Sequence, residues 1–192
     1  MKTLGSRSLP SFLLLVASIA SPSTVSAATS GTLWVWGNND HGQLGDGTTV
    51  NRTFPIQSGS ANNWVAVSGG VHYSLGLRSD GTLWAWGYNS VGQLGTGTTA
   101  DSLVPVRIGS DTWLAVSGSA GSHSLGIKSD GTLWAWGAND FGQLGDGTKS
   151  NRTSPVQVGS DNEWVAVSGG QFHTLGLKSD GSLWAWERND YG

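Results

Sequence analysis

The sequence predicts an all-β fold in which antiparallel sheets of four strands repeat along the chain. Three observations predict it. The wording recurs every 50 residues, so that Gly31, Gly81, Gly131 and Gly181 head near-identical phrases. Each period holds four short apolar runs of strand length, several alternating apolar and polar with period two. Ser-Asp-Gly stands between two of those runs at 79–81, 129–131 and 179–181. Asp-Gly between apolar runs is a tight-hairpin signal, because glycine supplies a positive φ at little cost.

The second period gives the elements in order: "WVAVSGG" (64–70), "HYSLGLR" (72–78), "TLWAWG" (82–87) and "LVPVRI" (103–108). Four strands in a unit of this length make one blade of a β-propeller. The first unit enters at its third strand, "TLWVWG". Two full blades follow, at 64–108 and 113–158, and the last unit supplies its first three strands, closing on "SLWAWE". The repeat region spans 28–192, with units at 31–80, 81–130 and 131–180 and a partial one at 181–192. Closed propellers use about four to eight blades. About three blades therefore predict an open arc, either a piece of a longer chain or a protomer that needs partners. Its exposed faces invite self-association.

Tryptophan carries the adhesion. The chain has 11 Trp and 30 Gly but no Cys, so no disulfide is available and burial must hold the fold. In "TLWAWG", Trp84 and Trp86 point to one face of the strand and Leu83 and Ala85 to the other. The indole pair is expected to pack on small positions of the neighbouring blade, of the Ala85 and Gly76 type. The alternative is a carbohydrate-stacking platform.

The first 27 residues read as a secretory signal peptide: Lys2 and Arg7, then the apolar run Phe12 to Ala20, then Val25-Ser26-Ala27 as a cleavage site. That run falls short of the roughly 20 residues a membrane span needs, and no later stretch could span one. The expected location is outside the cell or in a bacterial envelope. The net charge is −3, and losing Lys2 and Arg7 makes it more acidic, so no basic footprint for nucleic acid exists.

Two motifs go beyond the generic blade. The first is W-G-x-N-x-x-G-Q-L-G-x-G, beginning at Trp36, Trp86 and Trp136. Its core is Gly42-Gln43-Leu44-Gly45, Gly92-Gln93-Leu94-Gly95 and Gly142-Gln143-Leu144-Gly145. The second is His-(Ser/Thr)-Leu-Gly-(Leu/Ile), at His123 and His173. Together they make the region resemble the repeats of the regulator of chromosome condensation family. The resemblance implies seven-bladed propellers that act by binding proteins, nucleotide-exchange factors and a secreted β-lactamase inhibitor among them. Kelch repeats share the period and the Gly-Gly doublet but lack the GQLG element. The sequence departs from the pattern in places. Tyr73 takes the His position of the first unit, and His72 sits one place earlier, on the opposite strand face. Glu187 stands where Gly37, Gly87 and Gly137 stand. If those glycines need positive φ or close backbone approach, Glu187 is strained or the last turn does not form.

No residue set announces catalysis or a cofactor, and the chain reads as a non-enzyme. His123 and His173 hold equivalent places in different blades, which marks hydrogen-bonded packing residues rather than metal ligands. Asp40, Asp46, Asp140 and Asp146 lack the spacing of a calcium loop. Asn51 and Asn151 open glycosylation sequons, or serve as polar turn residues. Positions that vary between otherwise constant units are free of frame duty: Asn38/Tyr88/Ala138, Asp40/Ser90/Asp140, His41/Val91/Phe141, and the turns at His72, Ser122 and Phe172. Exposed His41, His72, Tyr88, Val91, Phe141 and Phe172 on one rigid face are candidate contacts for a protein partner. A surface-display array within an envelope protein is the other reading.

Overall fold

The computed structural model describes residues 30–187; the signal-peptide reading of 1–27 lies outside the described residues. Thirteen strands form among them. A two-stranded sheet pairs β1 (Trp34–Gly37) with β2 (Arg52–Gln57). Two four-stranded sheets follow. The first runs β3 (Trp64–Gly69), β4 (Tyr73–Arg78), β5 (Leu83–Gly87), β6 (Ser102–Arg107). The second runs β7 (Trp113–Gly118), β8 (His123–Lys128), β9 (Leu133–Gly137), β10 (Arg152–Gln157). A three-stranded sheet holds β11 (Trp164–Gly169), β12 (His173–Lys178) and β13 (Leu183–Glu187). Every pairing is antiparallel between consecutive strands. The architecture is the open arc of blades the repeat predicts.

Local chemistry sets the order within a blade. Arg78 N bonds Thr82 O and Gly81 N bonds Arg78 O, closing the hairpin with Gly81 at φ 78°. Asp80 Oδ1 accepts from the Thr82 amide at 3.0 Å and from its hydroxyl at 2.7 Å, fixing the turn. The fourth strands carry Pro55, Pro105 and Pro155. Proline cannot donate to a ladder, so it is confined to an edge. Each fourth strand is that edge, and its register shifts against the third. First strands contact one another between blades, β3 with β7 and β7 with β11, while β4 lies on β7 and β8 on β11. The blades therefore converge at their first strands and fan outward.

The core lies between blades. Trp136 packs with Leu75, Leu77, Leu83, Ala85 and Leu94 of the preceding sheet. Trp86 packs with Leu33, Val35 and Leu44, and Trp186 joins Leu125, Leu133, Ala135 and Leu144. Each fully buried Leu contributes about 1.5–3 kcal/mol, and the clusters repeat at every boundary. The expected landing of the indoles on Ala85-type positions holds. The Gly76-type landing is corrected: a Cβ on Gly76 would sit 2.6 Å from Trp64 and 3.3 Å from Trp86 of its own sheet. Gly76 is the floor beneath its own blade's tryptophans, because Trp64, Gly76 and Trp86 share one sheet face.

Gly37, Gly87 and Gly137 adopt φ 106°, 102° and 96°. A Cβ on Gly87 would meet His72 O at 2.5 Å and Tyr73 Cα at 2.7 Å. The glycine requirement is therefore real. β13 nonetheless extends through Glu187, whose backbone pairs with His173 as Gly87 pairs with Tyr73. His72 is corrected too: it lies in the bend before β4, not on a strand face.

Candidate functional site

The GQLG loop is tied into a knot by one asparagine. Asn39 Oδ1 accepts from Leu44 N at 2.9 Å. Its Nδ2 donates to Thr48 O at 2.9 Å and Asp46 Oδ1 at 3.1 Å. Asn89 and Asn139 repeat the pattern around Leu94 and Leu144. The leucine plugs the sheet, 0% exposed in Leu94 and Leu144. Asn51 Oδ1 accepts from the Asn39 amide, and Asn151 Oδ1 from the Asn139 amide at 2.8 Å, so both sequon asparagines act as loop caps. Asp46 is held by Arg52 at 2.6 Å and 2.8 Å, which occupies the carboxylate otherwise open to calcium. Among the described residues no group of three or more His, Asp or Glu is placed to hold a metal ion.

The loop then locks blades together. Gln43 O accepts Trp86 Nε1 at 2.8 Å and Ser74 Oγ at 2.8 Å, both from the next blade. Gln93 O accepts Trp136 Nε1 at 3.0 Å and Ser124 Oγ at 2.7 Å, and Gln143 O accepts Thr174 Oγ1 at 2.8 Å. This assigns a role to the Ser/Thr of the histidine motif, which sequence reasoning missed. The signal was its exchange of Ser for Thr alone, which keeps a hydroxyl.

The histidine position bridges the same boundary. His123 is fully buried; Nδ1 meets Ser119 Oγ at 2.8 Å and Nε2 meets Thr174 Oγ1 at 3.2 Å. Burial lowers its pKa to about 4, helped by the nearby His173. In the preceding unit the Tyr73 hydroxyl donates to His123 O at 2.6 Å and accepts from Ser119 N and Ser124 Oγ at 3.0 Å each. Burial pushes its pKa up. His173, by contrast, is exposed.

The variable positions meet across blade boundaries. The His41 ring lies 4.9 Å from His72 and 4.6 Å from Tyr88. Phe141 and Phe172 stand edge to face at 4.9 Å. Val91 occupies the matching place between these groups and is half-buried. Loop positions of one blade and turn positions of the next thus form aromatic clusters on one surface. Asp101, which sequence reasoning missed, sits 4.0 Å from His41 Nδ1 while capping the Asn89 amide at 2.8 Å.

A second aromatic set was also missed. Arg78 lies 3.7 Å above the Trp84 ring and Lys128 3.3 Å above Trp134. Asp111 pairs with Lys128 at 2.9 Å and holds the cation there. Those indole faces are covered by cations, and Trp86 and Trp136 are buried. None of the four is an open sugar-stacking platform. A rim groove of about 400 Å³ runs beside Lys128 and Trp134, bordered by Arg107, Asp111 and Pro155.

The fold and the inter-blade locks define a β-propeller repeat protein. Models of the regulator of chromosome condensation (RCC1) repeat match residues 30–77, 80–126 and 130–177, and a second model of the repeat matches 64–93, 115–143 and 164–192. The chain belongs to that family. No curated protein matches it in sequence. Among solved structures, human WBSCR16 is similar at 22% identity and TM-score 0.71, covering 83% of this chain and 43% of that one. Yeast RCC1 (Prp20) bound to Kap60 is similar at 22% identity and TM-score 0.69, covering 82% and 40%. Prp20p of Saccharomyces cerevisiae is also similar, at 21% and 0.71, covering 84% and 42%. The chain spans less than half the length of each.

Proposed function

We propose that the chain is an exported binding scaffold whose loop face grips another protein, in an inhibitory or regulatory role. One observation carries this: the residues that vary between units converge across blade boundaries, His41 on His72 and Tyr88, Phe141 on Phe172. A frame that is constant and a surface that is aromatic and variable are what a specific interface requires. Yeast Prp20, similar in fold, was solved with Kap60 and is described with binding properties toward Gsp1p and histones. Protein binding of that broad kind suits this face. Export rests on the Lys2/Arg7 start, the Phe12 to Ala20 run and the Ala27 cleavage site.

The test is capture followed by titration. The immobilised chain is exposed to proteins secreted by its source organism, and the captured partner is titrated by calorimetry. The double variant Tyr88→Ala, Phe172→Ala is expected to weaken binding by about thirtyfold, as loss of an aromatic anchor does. Unchanged affinity removes the loop face from the role.

A further inference from the structure

We propose that the loop face seats an arginine side chain of the bound protein at the boundary between the first two sheets, its guanidinium on the His41 and Tyr88 rings and its charge held by Asp101. This rests on the protein-binding reading above and names the chemistry the partner brings. The boundary is internal to the arc. His41 belongs to the loop between β1 and β2, His72 to the turn between β3 and β4, and Tyr88 and Asp101 to the loop between β5 and β6.

Asp101 is the charged member of a set that works without charge. Its Oδ1 accepts from the Asn89 amide at 2.8 Å. Asn51 and Asn151 make the same cap in two other units, so the turn needs an acceptor and not a carboxylate. Those two units also hold an Asp–Arg pair inside the loop, Asp46 with Arg52 and Asp146 with Arg152. The unit between them has Thr96 and Ser102 at those places. Its negative charge sits at the surface instead. The Asp101 side chain is 41% exposed, and among the described residues no Lys or Arg lies within ion-pair distance of it. His41 Nδ1, at 4.0 Å, is beyond hydrogen-bond reach.

The opposite end of the strands shows what a carboxylate beside aromatic rings holds. Asp111 pairs with Lys128 at 2.9 Å while that ammonium lies 3.3 Å above Trp134. Asp161 pairs with Lys178 at 2.6 Å, with Trp184 at 4.4 Å. At the loop face the carboxylate of Asp101 stands beside His41, whose ring packs on Tyr88 at 4.6 Å. The rings and the carboxylate are there and the cation is not, so the partner supplies it. Arginine fits better than lysine, because a flat guanidinium stacks on a ring face while its N–H fork meets a carboxylate at the edge.

Amide NMR on the full chain tests this with acetyl-Gly-Arg-Gly-amide as the probe, beside the matching Lys and Glu tripeptides. The arginine tripeptide is expected to shift the amides of His41, His72, Tyr88 and Asn89, the last reporting Asp101 directly. Asp101→Asn keeps the cap, as Asn51 and Asn151 do, and is expected to weaken that binding about threefold to fivefold. Glu163→Gln removes one exposed charge at the other end of the strands and is expected to leave it unchanged. The lysine tripeptide is expected to bind about threefold more weakly, and the glutamate tripeptide not at all. Wild-type amide dispersion checks folding in both variants. No shift at these amides, shifts spread equally over the other exposed carboxylates, an Asp101→Asn variant that binds as the wild type does, or a lysine tripeptide that binds as tightly as the arginine one each overturns the proposal. The tripeptide stands in for the captured partner, so the two failures are read separately: failed capture removes the protein-binding reading, and a failed titration removes the arginine seat.

Discussion

Trp136 donates its indole N–H to the carbonyl oxygen of Gln93 at 3.0 Å, across 43 residues of chain and one blade boundary. The same oxygen takes the hydroxyl of Ser124. A buried carbonyl with both lone pairs used fixes the spacing of two sheets more sharply than apolar contact does.

Trp136→Phe keeps most of the ring and removes the donor. It is expected to cost about 1 kcal/mol beyond the lost ring area. Trp136→Ala empties the boundary and is expected to cost about 3–5 kcal/mol. Urea denaturation of both variants checks the ratio; equal costs would mean the hydrogen bond contributes the larger share.

Gly95 packs under the same indole. A Cβ there would lie 2.8 Å from Trp136 Nε1, at φ 76°. Gly97 has φ 84° but its nearest atom, Ser154 Oγ, is 3.5 Å away. Gly95→Ala is expected to destabilise by roughly 2–4 kcal/mol, combining backbone strain and overlap. Gly97→Ala is expected to cost about 1 kcal/mol from the backbone alone. Denaturant midpoints for the pair separate packing from conformation.

Tyr73→Phe deletes a hydroxyl that serves His123 O, Ser119 N and Ser124 Oγ. The ring still fits, and the Ser119 amide keeps the His123 carbonyl at 3.1 Å while Ser124 Oγ keeps the Gln93 carbonyl, so the loss is that of the inter-blade hydroxyl bonds alone. The expected loss is about 1–3 kcal/mol, read from the thermal midpoint.

His123 makes stability pH-dependent. Its pKa falls from 6.5 to about 4 on folding. The native state keeps the ring neutral where the unfolded chain binds a proton. Stability therefore drops as pH falls from about 6.5 to 4 and levels off below that, by on the order of 3 kcal/mol from this residue. In His123→Gln that part of the slope is expected to vanish. Denaturant midpoints at several pH values check it, and an unchanged slope would sink the assignment.

Much of the fold was legible because repetition reports itself. Ser79-Asp80-Gly81 fixed a hairpin through local φ and an Asp cap, and the spacing of Trp84 and Trp86 set both on one face. The candidate face was legible in part. His41, Phe141 and Phe172 stood out because the frame around them does not vary. Asp101 did not, since its neighbour His41 comes from another unit and no local pattern links them. Gly76 was misplaced because alternation names a face but not which blade fills it.

The sequence alone determined the strands, their turns and the count of blades, since these follow from period-two alternation and glycine geometry within a few residues. Only the tertiary structure decided which atoms join the blades. Gln43 O meets Ser74 Oγ across 31 positions and Trp86 Nε1 across 43. It also decided that Lys128 covers Trp134 and that Arg78 covers Trp84. Those outcomes depend on how one sheet is rotated onto the next, and that rotation is set by the summed packing of whole faces, which no single stretch of chain encodes.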